Sequence, residues 1–288
     1  MRGIVLVASL LMATACGGIE RSDDGSRSRG VTGGEKRYEA TGIVLENEDH
    51  GPMLCLGMTL DSLPPQCGDV PITGWDWDGV QGERNLRGTT WGNYHLTGTY
   101  DGESFTVEEA GLAEGSPPVP DGGDPIDTPC DEPEGGWVAE DPSRTSEADR
   151  QAASRAASAE PDFAGLWIDY VEEPDPYAPE DPGTEGMILN VAFTGDVERH
   201  TAELGGLWGG PLCMVQHART EAELHRIQND LEPSADELGI QVLWSSIEVV
   251  ENVVEVGVVA IDAEGRDALH DRYGPGAVRP VPVLTPIE

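Results

Sequence analysis

Positive charge is what this sequence has least of. Lys36 is its only lysine, and 17 basic residues stand against 54 acidic ones, a net charge of -37 over 288 residues. A surface of that sign repels phosphate backbones, so nucleic acid is not an expected partner. The acids are spread along the chain beyond residue 34 rather than gathered in a tail, which reads as a solvated acidic surface. No apolar run approaches the roughly 20 residues that a membrane-crossing helix needs. Gly-x-Ser-x-Gly, Walker, Gly-x-Gly-x-x-Gly and His-Glu-x-x-His patterns are all missing, which removes the common signatures of hydrolase, nucleotide and metalloprotease chemistry. No Cys-x-x-Cys occurs either, so thiol-based zinc ligation is not expected.

What is present starts at the N-terminus. Arg2 precedes an apolar stretch over residues 4–13, broken only by Ser9, with small residues at Ala13-Thr14-Ala15 and then Cys16-Gly17-Gly18. That is the length of a secretory h-region, so 1–15 reads as a signal peptide. A short h-region running into small residues and one Cys resembles the lipobox of bacterial lipoproteins. The resemblance implies that Cys16 carries a diacylglyceryl group, that the chain is cut just before it, and that the protein is held on the cell membrane or envelope, outside the cytoplasm. Ala13 stands where that family usually has Leu. Ala13-Thr14-Ala15 is also an A-x-A site for ordinary signal peptidase, so both processing routes stay open.

Residues 16–34 are Gly, Ser and charge, a flexible tether. Residues 35–110 read as an all-β domain, a small barrel or sandwich of OB-like form. Its strand candidates are 38–45, 53–58, 70–77, 94–100 and 104–107, with Asp101-Gly102 as a hairpin signal. Residues 111–144 are an acidic Pro/Gly linker. Residues 145–288 read as an α+β domain of ferredoxin-like form. A helix near 146–159 opens it, with Ser146 and Asp149 roughly a capping box, and strands FAGLWIDYV and MILNVAF follow. Asp196 is the expected N-cap of a helix with Val197, His200, Leu204 and Leu207 on its apolar side. After the short strand LCMVQHA, Thr220 and Glu223 form a capping box for a helix with Leu224, Ile227 and Leu231 inward. IQVLWSSIEV and NVVEVGVVAI pair, a helix over 264–273 ends at Gly274-Pro275-Gly276, and VRPVPVL is the last strand.

Four cysteines lie beyond Cys16, and an oxidising compartment favours their pairing. Of the three pairings, Cys55 with Cys67 is favoured by its short loop, worth about 3 kcal/mol in the chain-entropy model. That leaves Cys130 with Cys213, stapling the acidic linker to the second domain.

FAGLWIDY, NVAFTGDVERHTAEL, RTEAELHRIQNDL and NVVEVGVVAIDAEGRDALHDRYG resemble the prodomains of streptogrisin and α-lytic-type serine proteases over residues 163–285. Asn252-Val253-Val254-Glu255-Val256 matches an asparagine-led strand motif of that family. Arg219 to Leu224 matches its preceding helix loosely, without the Tyr-Ser. The resemblance implies a prodomain-like fold and a habit of binding proteins. With no GDSGG and no protease following in this sequence, folding a protease in cis is not expected. The whole chain is also similar to bacterial lipoproteins sharing the ATGxVLE, HGPxLCLG, PPQCG and GWDW pattern, a likeness that names no activity.

Trp75 and Trp77 share a face if their segment is a strand, and Trp91 and Tyr94 lie close in sequence. Together they form a candidate face for stacking on a sugar or holding a peptide, with core packing as their ordinary use. His200 with Glu203, His225 with Gln228 and Glu221 with His225 have helical spacing, but in so acidic a chain ion pairing or capping is the expected use. Asp121, Asp124, Asp127, Asp131 and Glu132 lack the spacing of an EF-hand loop. No cofactor or metal is expected. The reading is a nonenzymatic, exported, membrane-anchored lipoprotein that binds or scaffolds something in the envelope. A trans-acting serine-protease-binding protein and a hydrolase using carboxylates are the alternatives.

Overall fold

A computed structural model describes residues 36–56, 62–113, 127–172 and 183–287. It is rich in β-strand, with five α-helices among the described residues. Cys16 with the signal and tether segments, Met58, Asp121 and Asp124 lie outside those residues.

The N-terminal strands alternate buried and open positions, and the alternation sends side chains to two separate cores. β1 (Arg37–Glu46) places Ala40 and Val44 in one cluster and Leu45 in another. It pairs along its length with β5 (Thr89–Tyr100), from Arg37↔Thr99 to Glu46↔Thr90. On its other edge it meets β2 (Met53–Cys55), which pairs with β3 (Val70–Thr73). β3 runs parallel to β6 (Phe105–Leu112), and β6 returns antiparallel to β5. The pairings β1–β2–β3–β6–β5–β1 therefore close on themselves.

Strand ends depart from expectation where local turns intervene. β3 stops at Thr73 because Gly74 turns with φ 74. β5 begins earlier than its apolar run, since a short β4 (Arg84–Leu86) joins it through Arg87-Gly88, both at positive φ, the two-residue turn that suits twisted strands. The Asp101-Gly102 turn spans 101–104, and the Asp101 carboxylate accepts the backbone N–H groups of Glu103 and Ser104. Those bonds hold its pKa below the usual carboxylate value.

The C-terminal half repeats one connection twice. α1 (Glu147–Ser158), with its Ser146–Asp149 capping box, leads into antiparallel β7 (Phe163–Tyr170) and β8 (Met187–Phe193). α2 (Val197–Gly205) then crosses to β9 (Leu212–Gln216), parallel to β8. α3 (Glu221–Leu231), capped by Thr220 and Glu223, and α4 (Ala235–Leu238) lead likewise into antiparallel β10 (Val242–Glu248) and β11 (Val253–Val258). α5 (Ala263–Tyr273) crosses to β12 (Val278–Pro282), parallel to β11. Strands β7 to β12 divide between two three-stranded sheets, whereas a ferredoxin-like arrangement would gather them into one. Asp196 stands at the N-cap of α2 but at φ 48 its side chain caps nothing; its carboxylate pairs with Arg199 instead.

The described residues form one compact unit. Val259 is buried in the N-terminal core, Tyr100 donates its hydroxyl to Gln241, and the C-terminal end adds two further links between the halves. After β12 the chain sends Leu284, fully buried, into the N-terminal core beside Val44, Leu54 and Phe105. It then adds β13 (Thr285–Ile287) to the edge of β1. The largest sheet and its core thus both take residues from either side of 111–144. Part of that segment also lies along the C-terminal half, where Trp167 Nε1 donates to the Asp127 carbonyl and Asp141 N to the Gly209 carbonyl.

Candidate functional site

Cys55 pairs with Cys67 and Cys130 with Cys213, so the described cysteines are joined as disulfides. Cys55–Cys67 closes the segment after β2 beside Leu45 and Trp91. Cys130–Cys213 ties the acidic segment to Cys213, the buried residue of β9.

The aromatic residues singled out in the sequence split by face. Trp91 and Tyr94 are three apart on β5, an odd offset that sends them to opposite sides. Trp91 packs with Leu45 and Cys55. Tyr94 points into the main core and meets Trp75 and Trp77 there. The Trp75–Trp77 centroids lie 5.2 Å apart at 84°, and Tyr94 is 4.9 Å from Trp75 and 6.2 Å from Trp77. These edge-to-face contacts suit ring quadrupoles. Trp75 and Trp77 do not sit on a continued strand. Gly74 turns the chain, and Asp76 caps a 3-10 turn at Trp77–Gly79 by accepting the Asp78 N–H at 3.0 Å.

Both tryptophans are half-buried, and carboxylates border them. Trp77 Nε1 donates to Glu46 Oε2 at 2.5 Å, which fixes its ring. The Trp75 indole N–H and the Tyr94 hydroxyl are buried with no hydrogen-bond partner. Burial, and then the negative charge of Glu83, raises the Tyr94 pKa, so the hydroxyl stays neutral. Gly92 is required beneath it, since a Cβ there would come within 2.6 Å of the hydroxyl. The result is a rigid aromatic wall, partly open and edged by Glu46, Asp76 and Asp78. It can stack on an apolar or sugar face and attract positive charge.

The helical pairs read from spacing behave differently. His225 is exposed, and Gln228 Nε2 donates to the Ser245 carbonyl. His200 Nδ1 lies 3.9 Å from Glu203, beyond hydrogen-bond reach, and the closer partner is Asp162 from the turn before β7. That partner lies 38 positions away, and no local pattern points to it. No protein-family model matches the chain, and none of the curated proteins matches it.

Proposed function

We propose that the chain is an exported binding protein, anchored through a lipid on Cys16, and that it holds a partner in the envelope without catalysing a reaction. The observation that carries this reading is the use of cysteine. The other four cysteines pair with each other, which suits an oxidising compartment and leaves Cys16 as the odd thiol beside a secretory h-region. Mass spectrometry of the native protein tests it: an acyl mass on an N-terminal Cys16 is expected, and a Cys16→Ser variant should leave the membrane fraction. A mature chain starting at an unmodified Cys16 would sink the anchor while keeping export.

The closed pairing order β1–β2–β3–β6–β5–β1, with β3 and β6 parallel, supports an OB-like reading of the N-terminal half. On it the Trp75–Trp77 wall is the surface for a peptide or sugar. Pull-downs from envelope extracts with the wild-type chain and a Trp75→Ala/Trp77→Ala pair would test the wall. Equal capture by both would remove it from the proposal.

A second reading is favoured by one observation. The asparagine-led segment that resembles protease prodomains turns into β11 at Val253, with α5 after it and α3 earlier in the chain. On that reading the C-terminal half binds a secreted serine protease in trans. Absence of both inhibition and complex formation with such proteases would end it.

A further inference from the structure

We propose that Glu160, Asp162 and His200 form a binding site for a divalent cation of the zinc class. The three side chains each offer a donor atom, and these atoms lie within 4.8 Å of one another. They are held by structure rather than by flexible loops. Glu160 and Asp162 flank Pro161 in the turn between α1 and β7. That turn is pinned by Glu160 N to the Ala157 carbonyl, Phe163 N to the Glu160 carbonyl at 3.2 Å and Thr194 N to the Asp162 carbonyl at 2.9 Å. His200 projects from α2, is 1% exposed and stacks flat on Phe193 with centroids 3.6 Å apart. Its ring plane is thereby set, with Nε2 aimed at the carboxylates.

The hydrogen bonding around Nε2 is what points to a cation. Nε2 lies 3.1 Å from both oxygens of Asp162 and 2.9 Å from Arg199 Nη2. A carboxylate can only accept and a guanidinium can only donate, so one ring nitrogen cannot satisfy both. Protonated, it opposes Arg199; bare, it turns a lone pair on Asp162. A metal ion in the place of the Arg199 nitrogen removes the conflict, taking the lone pair of Nε2 and the charge of both carboxylates. Donors held about 2.1 Å from one ion lie roughly 3.0–3.4 Å apart, the separation already present between Nε2 and Asp162.

Arg199 is the resident competitor. Its Nη2 lies 3.2 Å from Glu160, and its other nitrogens bond Asp196 and Glu203. Those exposed carboxylates offer the guanidinium a resting place when it swings outward, and Glu160 then turns in as third ligand. With Nε2 on the metal, Nδ1 carries the ring hydrogen, and Glu203 lies 3.9 Å from it, too far for a direct hydrogen bond.

The test is titration of the chelator-treated full chain with Zn²⁺ against a chromophoric competitor, in millimolar Mg²⁺ to occupy diffuse surface carboxylates. One Zn²⁺ per chain is expected. Asp162→Asn and Glu160→Gln, both on partly open side chains, should each weaken binding about tenfold or more with unchanged circular dichroism. His200→Ala should abolish it, and Arg199→Gln should tighten it by removing the competing cation. Absence of stoichiometric binding by the wild-type chain would overturn the site. So would binding that Asp162→Asn and Glu160→Gln leave intact, or binding that Arg199→Gln weakens.

Discussion

The side-chain amide of Asn252 grips both backbone groups of Arg219: Oδ1 accepts its N–H at 2.8 Å and Nδ2 donates to its carbonyl at 2.8 Å. Asn252 is buried at left-handed φ 56 in the β10–β11 connection, while Arg219 immediately precedes the cap of α3. Arg219 reciprocates, with Nη1 on the Asn252 carbonyl and Nη2 on that of Pro275. Three connections are thus locked by two residues.

Replacing Asn252 with Ala should therefore destabilise the protein by about 1–3 kcal/mol, because two part-buried backbone groups lose their partners. Asn252→Gly removes the same bonds but tolerates the backbone, so it should be milder by about 1 kcal/mol. Urea unfolding of the two variants separates these effects. Equal midpoints would mean that the left-handed backbone contributes nothing.

The disulfides should differ in worth. Cys130–Cys213 spans 83 positions and Cys55–Cys67 spans 12. In the chain-entropy model these loops stabilise by about 4.5 and about 3 kcal/mol. Paired Cys→Ser variants, compared by chemical denaturation, should show the larger loss for the longer loop, and a non-reducing peptide map should recover both links.

Leu284 is one of the buried links between the halves. Leu284→Ala should cost about 2–5 kcal/mol, in the range for a buried leucine. Hydrogen exchange should show protection lost at residues 37–39 of β1, which pair with β13. Two independent unfolding transitions, with only the C-terminal one shifted by this variant, would contradict a shared core.

His217 should make stability depend on pH. Burial lowers its pKa, although a hydrogen bond with the Val249 backbone opposes the shift; its Nε2 is buried without a partner and its ring lies against Trp167. The unfolded chain therefore takes up a proton at higher pH than the folded one. Stability should fall as pH drops below about 6.5, until the folded imidazole also protonates. A His217→Gln variant should flatten that slope; an unchanged slope would assign it to other groups.

The sequence by itself determined the local pieces. Ser146 with Asp149 and Thr220 with Glu223 cap helices through bonds reaching only three residues, so their pattern is legible in one dimension. The apolar runs of β7, β8 and β11 are equally plain, and the short loop between Cys55 and Cys67 favoured their pairing, which left Cys130 for Cys213. The opposite faces of Trp91 and Tyr94 were not legible, because the strand was expected to begin at 94 and only β5 starting at Thr89 puts Trp91 on it. What only the tertiary structure decided rests on contacts between distant segments. β13 is too short to announce itself and exists because β1 offers it an edge. Leu284 enters a core built mostly from residues of the N-terminal strands, and His200 meets Asp162 rather than its helical neighbour Glu203. Packing brings such groups together, and no periodicity or spacing encodes which distant residue will arrive.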